Sequence, residues 1–352
     1  MTADFDEVLS QLVDLGWDDA RTKELSELDL GVVSVGRVSR VDRGLCTVLM
    51  PSPGRASYQA QRVATGDWVV VSPGSDHQKP PHVAAILPRH SAFTRRRAGP
   101  ATEEQVVAAN VDVVLLVQAL DRDLNAHSLQ RYLTLAWDSG AEPVVVLSKS
   151  DCCSRVELAN AVRLTTDLAT PAPVLTVSTR GGDGVAELTE SYLRPGRTLA
   201  LVGPSGAGKS TLVNAIVGSA AMATAEVRSD GKGRHTTTHR ELVVMPGRGI
   251  LLDTPGMRAV GLWAQSDGLE LAFSDLEQLA DGCRFRDCSH TSEPGCALSA
   301  ALASGTITAD RLASWRKLQA EQLSVLARQG DMAVQRQQKQ RWKALTREQR
   351  RH

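Results

Sequence analysis

Hydrophobic and polar positions follow different periods along the chain, and the change of period divides it into regions. Residues 1–30 carry apolar side chains at helical spacing, at Val8, Leu12, Leu15 and Leu25, and are predicted to form a helical appendage. Between residues 31 and 90, short runs rich in β-branched residues, such as GVVSVGRVSRV and DWVVVSP, alternate with turn residues. About five strands in about 60 residues predict a small OB-fold barrel, an architecture that commonly binds oligonucleotides.

After the basic stretch SAFTRRRAGP, which reads as a linker, strands and helices alternate. Five apolar runs are continuous, as in strands that are covered on both faces. The helical stretches NAHSLQRYLTLAWDSG and SRVELANAVRLTTDLA lie between them. This alternation predicts a doubly wound α/β domain over residues 91–272. The predicted strands are VDVVLLVQAL (111–120), PVVVLSK (143–149), PVLTVS (173–178), TLALVG (198–203) and GILLDTPG (249–256).

Composition is that of a globular protein with no global charge bias. The 352 residues are 42% hydrophobic and 23% charged, and the net charge is zero. This is enough chain for two or three packed domains. The sequence contains no apolar run long enough to span a membrane, and its acidic N-terminus is unlike a secretory signal. We therefore expect a cytoplasmic protein that makes no membrane contact.

Charge is nevertheless distributed unevenly. Residues 1–30 hold nine acidic side chains against two basic ones, whereas residues 311–352 hold eleven basic side chains against three acidic ones. Two interpretations remain open: solvated helical faces, or an acidic appendage and a basic tail that contacts nucleic acid. The same two interpretations, solvation or RNA contact, apply to the arginines of the predicted barrel. These are Arg37, Arg40, Arg43, Arg55 and Arg62.

The stretch LALVGPSGAGKST has the form of a buried strand, a phosphate-binding loop and the start of a helix. Its glycines allow backbone N–H groups to close around phosphates, Lys209 can reach the β and γ oxygens, and Ser210 can bind Mg²⁺. The motif therefore predicts a site for a nucleoside triphosphate. Its predicted binding residues are Gly203, Pro204, Ser205, Gly206, Ala207, Gly208, Lys209, Ser210 and Thr211.

A second motif, LLDTPG, follows the phosphate loop. Its strand delivers Asp253 toward the Mg²⁺ shell, and Gly256 can turn its backbone N–H toward a γ-phosphate. Between the two motifs lies DGKGRHTTTHRE, where one of three successive threonine hydroxyls could complete the Mg²⁺ shell while γ-phosphate is present. This position predicts a switch segment.

The residues that select the base lie upstream of the phosphate loop. In VVVLSKSD, Ser148, Lys149 and Asp151 follow an apolar strand, and a carboxylate there can accept two hydrogen bonds from guanine. About 30 residues later, Ser178 opens STRGGDG, a candidate loop for the guanine oxygen. Because base selection precedes phosphate binding, we predict a circularly permuted GTPase domain, which is possible when natural termini lie close together.

Four metal-ligand side chains follow the switch region. Cys283, Cys288, His290 and Cys296 have the spacing C-x₄-C-x-H-x₅-C, which predicts one closed structural zinc site. The competing interpretation, disulfides, fits a cytoplasmic protein poorly. Cys46 and the vicinal pair at residues 152 and 153 remain; that pair is either redox-sensitive or inert.

In this order, the motifs resemble one family over nearly the whole chain: the circularly permuted, ribosome small-subunit-dependent GTPases of the RsgA family. The resemblance rests on the barrel, SKSD, GPSGAGKS, GRHTTT, DTPG, the cysteine and histidine spacing, and the basic tail ending RWKAL. It implies an OB-fold, Mg²⁺-dependent GTP hydrolysis stimulated by the small ribosomal subunit, contact with its rRNA, and a role in late maturation of that subunit. We also expect the protein to be a monomer.

The resemblance also suggests roles in hydrolysis. The residue after DTPG is Met257, where many GTPases orient the attacking water with glutamine, so we expect slow hydrolysis by the protein alone. His235 is the candidate to orient water, the alternative being an exposed loop histidine, and Thr237 is the candidate magnesium ligand beside Ser210. Lys209 completes the catalytic set. Ser148 replaces the usual asparagine, which predicts weaker guanine affinity.

Four domains are predicted: the appendage (1–30), the OB-fold (31–90), the GTPase domain (91–272) and a zinc-binding, basic helical region (273–352). Two other classes of function remain to be weighed. An ATPase or kinase would share the phosphate loop but would have no reason to carry SKSD upstream. An RNA-binding protein with a degenerate nucleotide site would not need Lys209, Ser210 and Asp253 intact.

Overall fold

Five strands near the N-terminus close into a barrel, as predicted from the short β-branched runs that alternate with turn residues. The computed structural model describes residues 11–28, 34–42, 44–51, 54–59, 62–72, 81–96, 104–221, 241–253, 268–285, 288–290, 293–321 and 323. The barrel strands are β1 (Ser34–Asp42), β2 (Leu45–Met50), β3 (Gly54–Gln59), β4 (Trp68–Ser72) and β5 (His82–Ile86).

The pairing of these strands closes the barrel. β1 pairs antiparallel with both β2 and β4, β2 pairs antiparallel with β3, and β4 pairs antiparallel with β5. A parallel pairing of β3 with β5, between Gln59 and His82, completes the ring. Val38, Val48 and Val69 are fully buried inside it. The predicted five-stranded N-terminal barrel is confirmed.

The appendage packs on the barrel through an apolar face. A 3₁₀ turn at Val13–Leu15 leads into helix α1 (Asp19–Ser26), whose N-cap Asp18 accepts a hydrogen bond from the backbone of Arg21. Trp17 lies edge-to-face on Trp68 of β4, with ring centroids 4.9 Å apart. Of the predicted apolar positions of the appendage, Leu12, Leu15 and Leu25 are buried in the same cluster, and Val8 lies outside the described residues.

Arg37 differs from the expectation that the barrel arginines supply surface charge. Its side chain is 2% exposed and lies over the ring of Trp68. It donates hydrogen bonds to the carbonyls of Leu15, Gly66 and Asn110. These carbonyls come from the appendage, the barrel and the entry to the α/β domain, so this guanidinium joins three parts of the chain and is not available to RNA.

Asn110 is the common partner of two buried arginines at this junction. Its carbonyl accepts from Arg37 at 2.7 Å, and its side-chain oxygen accepts from Arg21 at 2.8 Å. Arg21 also donates to Pro88 and to Nδ1 of His90. The appendage is therefore hydrogen-bonded to the segment that connects the barrel to the α/β domain.

The basic stretch after the barrel is not simply a linker. Residues Ala92–Arg96 form β6, which pairs antiparallel with β7 (Glu104–Ala109). Phe93 of β6 is 2% exposed and belongs to the core of the α/β domain. The linker prediction is therefore wrong for residues 92–96, because burial of an aromatic side chain favours an ordered hairpin despite the flanking arginines.

A parallel sheet with one antiparallel edge strand forms the centre of the α/β domain. The strand order is β10, β9, β8, β11, β13, β12, and only β12 runs antiparallel to its neighbour. The five apolar runs predicted as strands all form strands, whereas β12 was not predicted. The strands are β8 (Val113–Ala119), β9 (Glu142–Ser148), β10 (Val174–Val177), β11 (Thr198–Val202), β12 (Glu241–Met245) and β13 (Gly249–Asp253).

Helices cover both faces of this sheet, as the doubly wound prediction requires. Two apolar clusters, one on each face, bury alternate residues of β8, such as Val114 and Leu116 on one side and Val113 and Leu115 on the other. The helices of this layer are α2 (Ala126–Ser139), α3 (Arg155–Ala169), α4 (Val185–Tyr192) and α5 (Lys209–Ala221).

The barrel and the α/β sheet are continuous. Arg40 of β1 pairs with Glu241 of β12, so the two sheets join into a single eleven-stranded sheet. β12 is also the strand that follows the predicted switch segment. The barrel is therefore hydrogen-bonded directly to the strand that leaves the switch.

Short helices and one longer helix form the C-terminal part. They are α6 (Gly268–Ala272), α7 (Ser274–Ala280), α8 (Ala297–Ala303) and α9 (residues 309–321). In LASWRKLQAEQLSVLARQ, the spacing of Leu312, Trp315, Leu318, Leu323 and Leu326 predicts one apolar face. Leu312, Trp315 and Leu318 of α9 are buried as predicted, whereas Leu323 is 65% exposed, so its inclusion in that face is wrong. Leu326 lies outside the described residues.

Two ion pairs hold α9 in place. Arg311 of α9 donates two hydrogen bonds to the carboxylate of Asp275, at 2.8 and 2.5 Å, and Glu321 pairs with Arg131 of α2. The second pair connects the C-terminal helix directly to the α/β domain. Within the described ranges, none of the helices combines the length and the apolar character needed to cross a bilayer.

Candidate nucleotide site and metal centre

The phosphate loop connects β11 to α5, in the strand-loop-helix context that the motif requires. All three of its glycines have positive φ angles, 152° at Gly203, 75° at Gly206 and 87° at Gly208. A Cβ on Gly203 would lie 2.2 Å from the carbonyl oxygen of Val117, so only glycine fits where the loop leaves the sheet. The loop ends at the N-terminus of α5, where backbone N–H groups and the helix dipole favour an anion.

Lys209 is held above this loop. Its Nζ donates to the carbonyls of Gly203 and Pro204, each at 2.7 Å. This arrangement places an ammonium group at the mouth of a loop whose backbone N–H groups are suited to phosphate. Ser205, Ser210 and Thr211 are exposed, whereas Ala207 is fully buried. The nine residues predicted for phosphate binding thus form one continuous loop and helix start.

Ser148 ties the base motif to the phosphate loop. It is the last residue of β9 and is 3% exposed. Its hydroxyl lies 2.6 Å from the carbonyl oxygen of Ala207, to which it donates, and 3.1 Å from that of Gln118. The hydroxyl of Ser148 on β9 therefore connects the centre of the phosphate loop to β9 and to the neighbouring strand β8.

Asp151 and Ser178 come together although 27 residues separate them in sequence. Asp151 lies in the 3₁₀ turn Ser150–Cys152 after β9, and Ser178 follows β10. The Ser178 hydroxyl donates to Oδ1 of Asp151 at 2.6 Å and accepts from the backbone N–H of Gly181 at 3.1 Å. The hydrogen bond from Ser178 lowers the pKa of the Asp151 carboxyl, so the group stays ionised at neutral pH.

Asp253 reaches the same edge of the sheet. It ends β13, and its neighbour Leu252 pairs with Ala200 of β11, the strand that leads into the phosphate loop. The carboxyl ends of neighbouring parallel strands form the crevice where doubly wound sheets bind ligands. His235, Thr237 and Gly256 lie outside the described residues, as do the other switch threonines and Met257.

Sequence patterns did not identify the loop that follows β8. Here Asp121 accepts from Nζ of Lys149 at 2.5 Å, and Arg122 donates to the carbonyl of Ser205 at 3.3 Å. Hydrogen bonds from Lys149 and Arg122 lower the pKa of Asp121. Neither residue lies in the motifs identified from the sequence, and Lys149 and Ser205 are more than 25 residues away, so sequence spacing carried no signal.

The four predicted zinc ligands cluster. Their ligand atoms all lie within 4.8 Å of one another. His290 Nδ1 is 3.4 Å from Sγ of Cys283 and 3.8 Å from Sγ of Cys296. A tetrahedral zinc ion with normal Zn–S and Zn–N bonds separates such ligand atoms by about 3.6 Å. Three thiols and one imidazole at these separations therefore fit a closed structural zinc site.

The metal centre is attached to the C-terminal helices. Cys296 is the N-cap of α8, and the backbone N–H of Ala297 donates to Sγ of Cys283 at 3.3 Å. The ring of His290 lies 5.5 Å from that of Trp315 on α9, and Trp315 donates to Glu277 of α7 at 2.8 Å. Among the described residues, this is the cluster of cysteine and histidine that could hold a metal.

The fold and the residues at the carboxyl edge of the sheet together define the class of protein. A phosphate loop, a strand-end aspartate and an upstream SKSD motif whose Ser148 is hydrogen-bonded to that loop are the arrangement of a P-loop GTPase domain. Strands β8, β9 and β10 precede the phosphate loop in sequence but lie next to β11, the strand that leads into it, in the sheet. The domain is therefore a circularly permuted GTPase.

Comparison with known proteins gives the family. A sequence model described as RsgA GTPase matches residues 86–263. The small ribosomal subunit biogenesis GTPase RsgA of Streptomyces avermitilis is 43% identical over 327 residues, covering 90% of this chain and 87% of the relative. This chain belongs to the RsgA GTPase family and is a GTPase.

Two solved structures share the architecture. YjeQ from Thermotoga maritima matches with a TM-score of 0.61 and 25% identity, covering 83% of this chain and 99% of that one. YloQ, described as a circularly permuted GTPase, matches with a TM-score of 0.58 and 21% identity, covering 84% and 96%. These matches confirm the permuted fold that the order of the sequence motifs predicts.

Proposed function

We propose that this protein hydrolyses GTP on the small ribosomal subunit and acts in the late maturation of that subunit. The observation that carries the proposal is the hydrogen bond from Ser148 to Ala207, which unites the upstream base motif and the phosphate loop in one site. Family membership supports the partner, because the Streptomyces avermitilis relative is named for small-subunit biogenesis. The chain acts as a monomer in the cytoplasm and contacts rRNA.

The nucleotide lies across the carboxyl edge of the sheet in this proposal. Asp151 accepts from guanine, with Ser148, Lys149 and Ser178 holding the base pocket, and residues 203–211 enclose the phosphates. Gly256 contacts the γ-phosphate. Mg²⁺, bound by Ser210 and Thr237 beside Asp253, supplies charge neutralisation for phosphate oxygens when present.

Zinc has a structural role in the proposal. One ion per chain, bound by Cys283, Cys288, His290 and Cys296, stabilises the region from residue 273 onward. Metal binding by a closed site of this type is folding free energy. The proposed boundaries remain 1–30 for the appendage, 31–90 for the OB-fold, 91–272 for the GTPase domain and 273–352 for the zinc-binding and basic region.

His235 orients the attacking water once the subunit fixes the switch segment. Met257 stands where a glutamine would do this in many GTPases, so the protein alone hydrolyses GTP slowly. An orienting group acts in the transition state, so its loss lowers the rate of hydrolysis and leaves ground-state binding intact. Lys209 and Thr237 complete the catalytic set.

Single-turnover GTP hydrolysis with excess small subunits tests this role. His235→Ala should bind GTP and subunits like the parent but lose most of the stimulated hydrolysis. The variant should then accumulate on subunits, because release follows hydrolysis. His239→Ala is the matched control, since it removes a second histidine from the same stretch. Equal stimulated rates for the parent and His235→Ala would reject His235 as the orienting residue.

A further inference from the structure

The loop after β8 connects the base motif to the phosphate loop through charged side chains. Oδ2 of Asp121 lies 2.5 Å from Nζ of Lys149, and Oδ1 of the same carboxylate accepts from Nε of Arg122 at 3.2 Å. From there, Nη1 of Arg122 reaches the carbonyl oxygen of Ser205 at 3.3 Å. The chain of contacts runs from Lys149 of the predicted base motif to Ser205 in the phosphate loop.

The guanidinium of Arg122 lies directly against the turn of that loop. A Cβ built on Gly206 would come within 3.1 Å of Nη2 of Arg122. The side chain is 49% exposed, so it borders the open side of the site. Within the part of the chain that the structure describes, only Nε and Nη1 have hydrogen-bond partners. The Nη2 donors therefore remain available beside the phosphate loop.

The donor geometry of Arg122 suits an anionic ligand. The carboxylate of Asp121 is shared by two cations, Lys149 and Arg122. Arginine, whose donors form a planar fork, suits phosphate oxygens better than a point charge does. Asp121 fixes Nε of Arg122, and this contact limits the orientations that the fork can adopt.

We propose that Arg122 is a catalytic residue of the GTPase site that binds the β–γ bridging region of GTP, and that Asp121 is its positioning residue. In hydrolysis, water adds to the γ-phosphorus while the bond to the bridging oxygen breaks, and that electron pair leaves with GDP. One proton of the water is released with inorganic phosphate. A guanidinium supplied by the chain itself stabilises the negative charge that grows on the leaving oxygen.

This role differs from a purely structural one. If Arg122 only braced the phosphate loop through Ser205, its removal would weaken binding of GDP and GTP by the same factor. A group that acts on the leaving oxygen instead lowers the rate of the bound complex and changes GDP affinity little. The proposal rests on GTP hydrolysis by this chain. The experiment separates a failure of the Arg122 proposal from a failure of the proposed function.

The test uses the full-length protein, with Arg122→Ala, Arg122→Lys and the control Arg163→Ala. Arg163 is an exposed arginine of α3 paired only weakly with Asp167 of the same helix, at 3.9 Å. Single-turnover hydrolysis at saturating protein, without ribosomal subunits, gives the rate of the bound complex. Affinities for GDP and for a non-hydrolysable GTP analogue are measured in parallel, and guanidinium salt is added to test rescue.

We expect Arg122→Ala to reduce the single-turnover rate about 10- to 100-fold, with GDP affinity close to that of the parent. Arg122→Lys should recover part of the rate because it keeps the charge but loses the fork. Free guanidinium should accelerate Arg122→Ala and leave Arg163→Ala unchanged. An unchanged rate for Arg122→Ala, or equal losses in GDP and analogue affinity at an unchanged bound rate, would overturn the proposal. A parent that does not hydrolyse GTP would instead reject the proposed function.

Discussion

Replacing Asp151 with asparagine should change which nucleotide the protein prefers. The carboxylate lies at the end of β9, and Oδ1 already accepts a 2.6 Å hydrogen bond from Ser178. That bond orients an asparagine with its oxygen toward Ser178, so its NH₂ group faces the base. The NH₂ group would then meet the N1–H and N2–H₂ donors of guanine, where the carboxylate had accepted from both. Xanthine carries a carbonyl at the position of the guanine amino group and restores a donor–acceptor match.

The expected loss follows from one charge-assisted hydrogen bond that is replaced by opposed donors. Such a change costs about 2 to 4 kcal/mol, which corresponds to a roughly 30- to 700-fold weaker affinity for GTP. Competition of GTP, xanthosine triphosphate and ATP against a fluorescent guanine nucleotide measures the three affinities. Asp151→Asn should rank xanthosine triphosphate above GTP, whereas the parent ranks GTP first.

Asp167→Asn is the matched control, because this aspartate is 67% exposed on α3 and its recorded ion-pair partner is Arg163 of the same helix. It should retain the nucleotide preference of the parent. If Asp151→Asn binds GTP as tightly as the parent, the upstream motif does not select the base. The assignment of Ser178 to the same pocket would then also be wrong.

Three further changes test other parts of the structure. Cys288→Ser should abolish stoichiometric zinc, measured by elemental analysis, and raise hydrogen exchange in the C-terminal region, while GTP affinity is retained. Parent protein that contains no zinc would contradict the assignment of the zinc site. Trp17→Ala should lower the free energy of unfolding, measured by urea titration, by about 3 to 5 kcal/mol. The control Val13→Ala, at a half-exposed position, should have a near-neutral effect. Equal effects of the two substitutions would show that the appendage is not part of the barrel core. Burial and the charge of Arg21 lower the pKa of His90, so the folded state binds this proton less readily than the unfolded chain. The free energy of unfolding should therefore fall as the pH drops below about 6.5, and less steeply in His90→Gln; identical pH slopes would contradict this.

Much of the fold follows from local sequence patterns. The five continuous apolar runs formed parallel strands because strands covered on both faces need apolar side chains at every position. The order of SKSD, the phosphate loop and DTPG predicted the permutation, since those motifs have fixed places on the sheet. The zinc ligands were found because their spacing is local, and the structure brings all four together.

The residues that sequence reasoning missed act through distant partners. Arg37 has the sequence context of a surface strand residue, but its carbonyl partners come from residues 15, 66 and 110. Asp121 and Arg122 lie in an irregular loop, and only the fold places them beside Lys149 and Ser205. The hairpin that begins at Ala92 was missed because three arginines follow its one buried aromatic side chain, Phe93. Periodicity cannot report such contacts.

Strand β12, which follows the predicted switch segment, pairs with β1 of the barrel, so backbone hydrogen bonds join the barrel to the GTPase domain. The most direct test is turnover of GTP and of ATP by the full-length protein, with and without purified small ribosomal subunits. We expect slow GTP hydrolysis by the protein alone, strong stimulation by the subunits and no comparable turnover of ATP. GTP hydrolysis that is unaffected by the subunits, or ATP turnover of similar rate, would contradict the proposed function.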